Sequence, residues 1–245
     1  TVGLIATTSS FQGYGKASRS RPDIHGRPGP SFLNVIKKND KWTAASGDEK
    51  AHLKIIEQAR GKCDQLVMSV HWHHHDINWL REFAHKCIEA GADVVFCHGP
   101  HEVNPIEIYN GKPIFYSLGD FVFQNELVEK FPVELYDQFG LGDDATPEDL
   151  IKKRYANYTK GFPTKREVWE GVLAKVSFER QQLSGIELIP MDLRFGEKCP
   201  PRGSPVRADE ELGKKIISDI KNKSAAYGCE VQYDNDSNTG RVILD

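Results

Sequence analysis

No apolar run in the 245-residue chain approaches the roughly 20 residues that would cross a bilayer, so a membrane-spanning helix is not expected. Charge of one sign is also missing. A net charge of -3 and a pI near 6.3 give no electrostatic case for a nucleic-acid or anionic-membrane partner. The five cysteines form no CxxC pair, which excludes a zinc ribbon and a thioredoxin-type redox motif. They read as buried free thiols, with a Cys199–Cys229 disulfide as the alternative. No leader peptide is visible, and compartment stays open between cytoplasm and cell envelope. The chain opens directly in a strand-like run, Thr1 to Thr7, expected to be buried; this start suggests a piece of something longer. With 39% hydrophobic and 27% charged residues, the composition is that of a globular protein.

Periodicity predicts an α/β organisation without a clear internal linker, hence one domain over residues 1–245. Ser46 and Glu49 have capping-box spacing before an apolar helical stripe that ends near Gly61. Gln65 to His71 reads as a buried strand. Asp76 is placed to cap a second helix, which Gly91 stops. Asp93 to His98 is a second buried strand, so the unit is β-α-β and its strands run parallel. Two more strands, Glu102 to Tyr109 and Pro113 to Ser117, are joined by the Asn110-Gly111 turn. Further on, residues 125–165 form an acidic excursion with a helix after Pro147. Then come an antiparallel pair, Trp169 to Phe178 and Gly185 to Asp192, a helix from Asp209 to Tyr227 and a closing strand from Arg241 to Leu244.

Seven of the nine histidines lie between residues 71 and 101, where even scattering would put roughly one. His71 and His98 end the two strands of the β-α-β unit, the side of a parallel sheet where ligands gather. His101 follows one short turn later. Neutral imidazole is a good donor to zinc, manganese, iron and similar divalent ions, so His71, His98 and His101 are the candidate metal ligands. His73, His74 and His75 cannot all face one site. His73 and His74 are the candidates for a catalytic proton donor, against the plainer reading of solvated loop residues. Trp72 and Trp79 read as packing residues, His85 as a surface residue, and His25 and His52 carry no signal. Arg27, in the turn-rich Gly26-Arg27-Pro28-Gly29-Pro30 loop, is the candidate for holding a substrate anion, with a structural salt bridge as the alternative. Asp120 adds a carboxylate to the site or is a solvated turn residue.

Ser69-Val70-His71-Trp72, Gly91-Ala92-Asp93-Val94-Val95, His98-Gly99-Pro100-His101 and the block from Pro105 to Gly119 closely resemble the CapA-type poly-γ-glutamate capsule-synthesis family, within the calcineurin-like metallophosphoesterases. The resemblance implies a sandwich of two mixed sheets flanked by helices. It also implies two divalent metal ions, with His71 and His98 on one and His101 on the other, activating water for hydrolysis of a phosphoester or an anionic peptide-like substrate. Two other functions stay open: an accessory or binding protein for poly-γ-glutamate synthesis or export, and a metal-assisted peptide epimerase. The family's early Gly-Asp, Asn-x-Glu and Asn-Asn-His elements are absent, Cys97 replaces a usual glycine and Asp120 a usual asparagine. The chain therefore resembles the C-terminal part of such a domain, with the missing portion or a partner chain completing the centre.

Overall fold

The structure, a computed structural model, describes residues 1–9, 15–18, 20–74 and 76–244. Strand β1 (Val2–Thr8) leads through a small hairpin, β2 (Val35–Lys38) and β3 (Lys41–Ala44), into helix α1 (Ser46–Arg60). Strand β4 (Gln65–His71), helix α2 (Asn78–Glu89) and strand β5 (Val94–His98) follow, then β6 (Ile106–Tyr109) and β7 (Lys112–Phe115). The first sheet has the spatial order β1-β4-β5-β7-β6, parallel except where β6 returns antiparallel to β7.

The apolar alternation of β4 and β5 decides its packing. Leu66, Met68, Val70, Val95 and Cys97 point to the face covered by α1 and α2, where Ile56, Leu80, Phe83 and Ala84 are buried. Val94, Ile106 and Phe115 belong instead to a second core with Val172, Leu188, Ile216 and Ile220. Those residues come from the C-terminal part. Helices α3 (Val133–Gln138) and α4 (Pro147–Arg154) cross the acidic excursion, α4 starting on a Thr146/Asp149 capping box. A second sheet combines β8 (Glu170–Glu179), β9 (Gln182–Asp192), β10 (Val206–Arg207), β11 (Val231–Asp234) and β12 (Thr239–Val242), with α5 (Glu210–Ala225) packed on it. The whole is a mixed α/β arrangement.

Three local expectations are corrected. Residue Ala45, not Ser46, sits at the cap of α1, and because its methyl group offers no acceptor no side chain caps the helix; Glu49 pairs with Lys86 at 2.7 Å. At α2 the cap position is Ile77, while Asp76 accepts from the Asn78 N–H at 3.0 Å one position earlier. Strand β1 is not buried on both faces: it is an edge strand, and Val2 and Leu4 are 73% and 69% exposed. Only Gly3, Ile5 and Thr7 turn inward, since alternate residues of a strand face opposite sides. All five cysteines are free thiols, so the Cys199–Cys229 alternative does not apply. Burial pushes the Cys97 and Cys87 thiols well up, which makes them inert.

Candidate metal centre

Parallel pairing of β4 with β5 places His71 directly opposite His98. Both therefore project from the same face at the carboxyl ends of adjacent strands, and their Nδ1 atoms lie 2.8 Å apart. Ser69, two residues before His71 and so on the same face, brings its Oγ to 2.9 Å from His98 Nε2. On its other side His71 Nε2 lies 2.7 Å from His73 Nε2. The ring of His73 is in turn 5.6 Å from that of His101, centre to centre. Four imidazoles thus form one contiguous row, His98-His71-His73-His101. Of the three expected ligands, His71 and His98 meet directly and His101 is reached through His73.

The backbone holds this row tightly. The Trp72 N–H donates to the His98 carbonyl at 2.7 Å, and Ser9 donates its N–H and hydroxyl to the His71 carbonyl. Gly99 has φ +123°, and a Cβ there would lie 2.6 Å from the Trp72 carbonyl oxygen, so the turn after His98 admits only glycine. His101 itself has φ +59°. Its Nδ1–H donates to both oxygens of Asp120 at 3.0 Å, which leaves the Nε2 lone pair for a ligand or a proton. Asp120 is therefore a carboxylate partner of His101 and not a solvated turn residue. Phe162 and Phe123 wall this end, with ring centres 4.9 and 5.8 Å from His101.

Strand alternation continues past the end of β4 and separates the expected proton donors. His73 stays on the side of His71. His74 falls with Trp72 on the other side, its ring 4.0 Å from Trp42 and 4.6 Å from Trp72, so it is not brought to the row. His75 lies outside the described residues. Trp72 and Trp79 are buried packing residues, as expected. His85 is not a free surface residue: it stacks on Tyr109 at 3.7 Å and approaches Glu107 at 3.1 Å. His52 is buried and holds Thr7 Oγ1 at 2.9 Å. The expected anion holder, Arg27, is exposed and tied to its own loop through Nε to the Lys16 carbonyl. It forms no ion pair among the described residues.

Burial, then the neighbouring imidazoles His98, His73 and His101, pushes His71 down to about 4. Burial also lowers His98 and His73. At neutral pH these rings are uncharged and their lone pairs are available, which is the protonation state metal binding requires. In kind, the donors fit a divalent transition-metal ion, and Ser69 and Asp120 supply the outer hydrogen bonds that fix ligand orientation. In number they fall short: among the described residues no group of three histidine, cysteine or carboxylate side chains is arranged to hold a metal ion. Ser69 was not singled out by sequence reasoning, although its position two residues before a strand-end histidine carries the signal.

Residues 1–125 match the family model described as bacterial capsule synthesis protein PGA_cap. Among curated proteins, the chain is 29% identical over 210 residues to the uncharacterized protein y4sH of Sinorhizobium fredii, covering 79% of this chain and 45% of that one. It is 41% identical over 93 residues to the PGA biosynthesis protein CapA of Bacillus subtilis, 36% of this chain and 24% of the relative. A probable polyglutamine synthesis accessory protein of Mycobacterium tuberculosis is 34% identical over 144 residues, 55% of this chain and 34% of the relative. The chain thus spans less than half the length of the curated relatives it matches.

Proposed function

Because the chain belongs to the bacterial capsule synthesis protein family PGA_cap, we propose that its histidine row is the imidazole half of a two-metal hydrolytic centre in a capsule-synthesis protein. In this reading His71 and His98 hold one divalent ion (Mn, Zn, Fe or similar) and His101 belongs to the other. The substrate is a phosphoester or an anionic peptide-like molecule. Bound ions would supply Lewis acidity and a hydroxide at neutral pH. The chain's own residues do the positioning. Ser69 fixes His98, Asp120 fixes His101, and His73, on the outer side of His71, is the group placed to hold or pass a proton. The absent carboxylates come from a preceding segment or a partner chain, for which the exposed Val2 and Leu4 face of edge strand β1 leaves room.

One observation carries this reading: two neutral imidazoles in matched register at the ends of neighbouring parallel strands, one of them anchored from behind by a hydroxyl. Manganese-dependent hydrolysis of an aryl phosphate, lost in His71→Ala and in His98→Ala, is the expected result. Turnover that survives both substitutions would remove the row from the chemistry. A second reading, an accessory role in which the polymer is bound and not cleaved, is supported by the names of the Bacillus and Mycobacterium relatives. Polymer binding without turnover would select it.

A further inference from the structure

A second imidazole site lies on the other face of the first sheet. Thr7 of β1 pairs with Val70, which faces the helical layer, and so turns away from the side that carries His71 and His98. Three stretches distant in sequence meet there. The first is Thr7 itself. The second is the segment after Pro30, held beside β1 by the Thr8 N–H, which donates to the Ser31 carbonyl at 3.0 Å, and by the Leu33 N–H, which donates to the Thr8 carbonyl at 2.9 Å. The third is helix α1, which supplies the buried His52.

The partners of His52 fix where its proton sits. Its Nδ1 lies 2.8 Å from the main-chain carbonyl oxygen of Asp48, one helical turn earlier, and a carbonyl can only accept. Nδ1 therefore carries the proton and Nε2 presents a lone pair. Two hydroxyls face that lone pair, Thr7 Oγ1 at 2.9 Å and Ser31 Oγ at 3.2 Å. Thr7 has a second acceptor, the Ser31 carbonyl at 3.4 Å, so it can yield Nε2 to Ser31.

A histidine that only satisfies core hydroxyls would keep both of them buried. Here Thr7 is buried but Ser31 is exposed. Ser31 lines a cavity of about 320 Å³ together with His52, Phe32, Lys16 and Asp48. That volume is at the small end for ligand pockets. Lys16 stands over the Phe32 ring at 4.7 Å, and the Asp48 carboxylate accepts from the Asn34 N–H at 3.3 Å. The wall thus carries one charge of each sign, which suits an uncharged group. A hydroxyl open to a cavity, a base within reach of it and a third group orienting that base make up an activated nucleophile.

We infer that Ser31 is a nucleophile for acyl transfer, with His52 as its general base and an ester of a short, uncharged carboxylic acid as its substrate. Ser31 Oγ bonds to the ester carbonyl carbon while its proton passes to His52 Nε2. That proton leaves with the alkoxide, as an alcohol, when the ester C–O bond breaks. Water then attacks the Ser31 ester, giving a proton to the same nitrogen, which returns it to Ser31 Oγ as the acid departs. The proposal is independent of the histidine row.

The test is incubation with an alkyl fluorophosphonate followed by peptide mass spectrometry, with hydrolysis of p-nitrophenyl acetate as the turnover readout, each with and without EDTA. The expected result is a phosphonyl group on Ser31 and ester hydrolysis, both unaffected by EDTA, lost in Ser31→Ala and slowed about 100-fold or more in His52→Gln. Should His52→Gln fail to fold, as its melting temperature would show, Thr7→Val carries the test. That variant removes the competing hydroxyl and should be labelled at least as fast as wild type. No adduct on Ser31, no ester hydrolysis, an equal rate in folded His52→Gln or a slower one in folded Thr7→Val would each overturn the dyad. Loss of both activities in EDTA would overturn it too, by assigning them to the metal-binding face.

Discussion

An imidazole has two nitrogens to satisfy, and at His71 both neighbours are other imidazoles, at 2.8 and 2.7 Å. Crowding like groups and partly burying them disfavours their charged forms, so the folded chain holds these rings neutral. The sign follows directly. His71 falls from 6.5 to about 4, and His98 and His73 also fall. The unfolded chain therefore takes up protons first as pH drops. Stability from these groups is complete above pH 6.5 and is lost as pH falls towards 4. Melting temperatures between pH 7.5 and 4 should decline through that window, and less steeply in His71→Gln; an unchanged slope in the variant would contradict the assignment. Ser69→Ala removes only the hydroxyl behind His98. It should weaken metal affinity by about 10–100-fold while leaving the fold intact, as a metal titration would show. The link of His101 to the row through His73 was not legible in the sequence, whereas the strand-end positions of His71 and His98 were. The partners Ser69 and Asp120 were less so, since a hydroxyl and a turn carboxylate acquire meaning only when the register brings an imidazole to them.

Elements carry the site through their ends. The β-α-β unit was readable because Gln65–His71 and Val94–His98 are apolar runs separated by an amphipathic helix. The β2–β3 hairpin, β10, β11 and α3 were not. They are short, and α3 buries no side chain, so no periodicity marks them. The exposed face of β1 was misjudged for a related reason: an apolar run does not say which of its faces is covered. At the turn after His98, Gly99→Ala combines a left-handed φ with a close backbone contact. It should cost about 2 kcal/mol or more of stability and uncouple His101 from the row, both visible in urea unfolding and metal titration. On β6, Glu107 is buried and accepts from Arg81 in a bidentate pair and from Tyr116 at 2.6 Å. Glu107→Ala strands both donors. Because Arg81 is 45% exposed, the expected loss sits at the low end for a broken buried pair, about 3 kcal/mol, measured by the same unfolding curves.

Taken whole, the molecule sets one sheet between a helical layer and a second core, with β1 at the sheet's edge, bridged at Thr8 to Phe32 and exposing Val2 and Leu4. Among the described residues no helix is long and apolar enough to cross a membrane. The site is one-sided as well: among the described residues the imidazole row meets one carboxylate, Asp120 at His101, and no group of three ligand side chains is arranged to hold a metal ion. A centre of that kind should take up a transition-metal ion weakly by itself, through His71 and His98. The most direct test is elemental analysis of the purified protein after equilibration with manganese or zinc at neutral pH, beside His71→Ala and His98→Ala. Close to one ion per wild-type chain and none on either variant is the predicted result. Equal metal content in all three, or none in any, would contradict it.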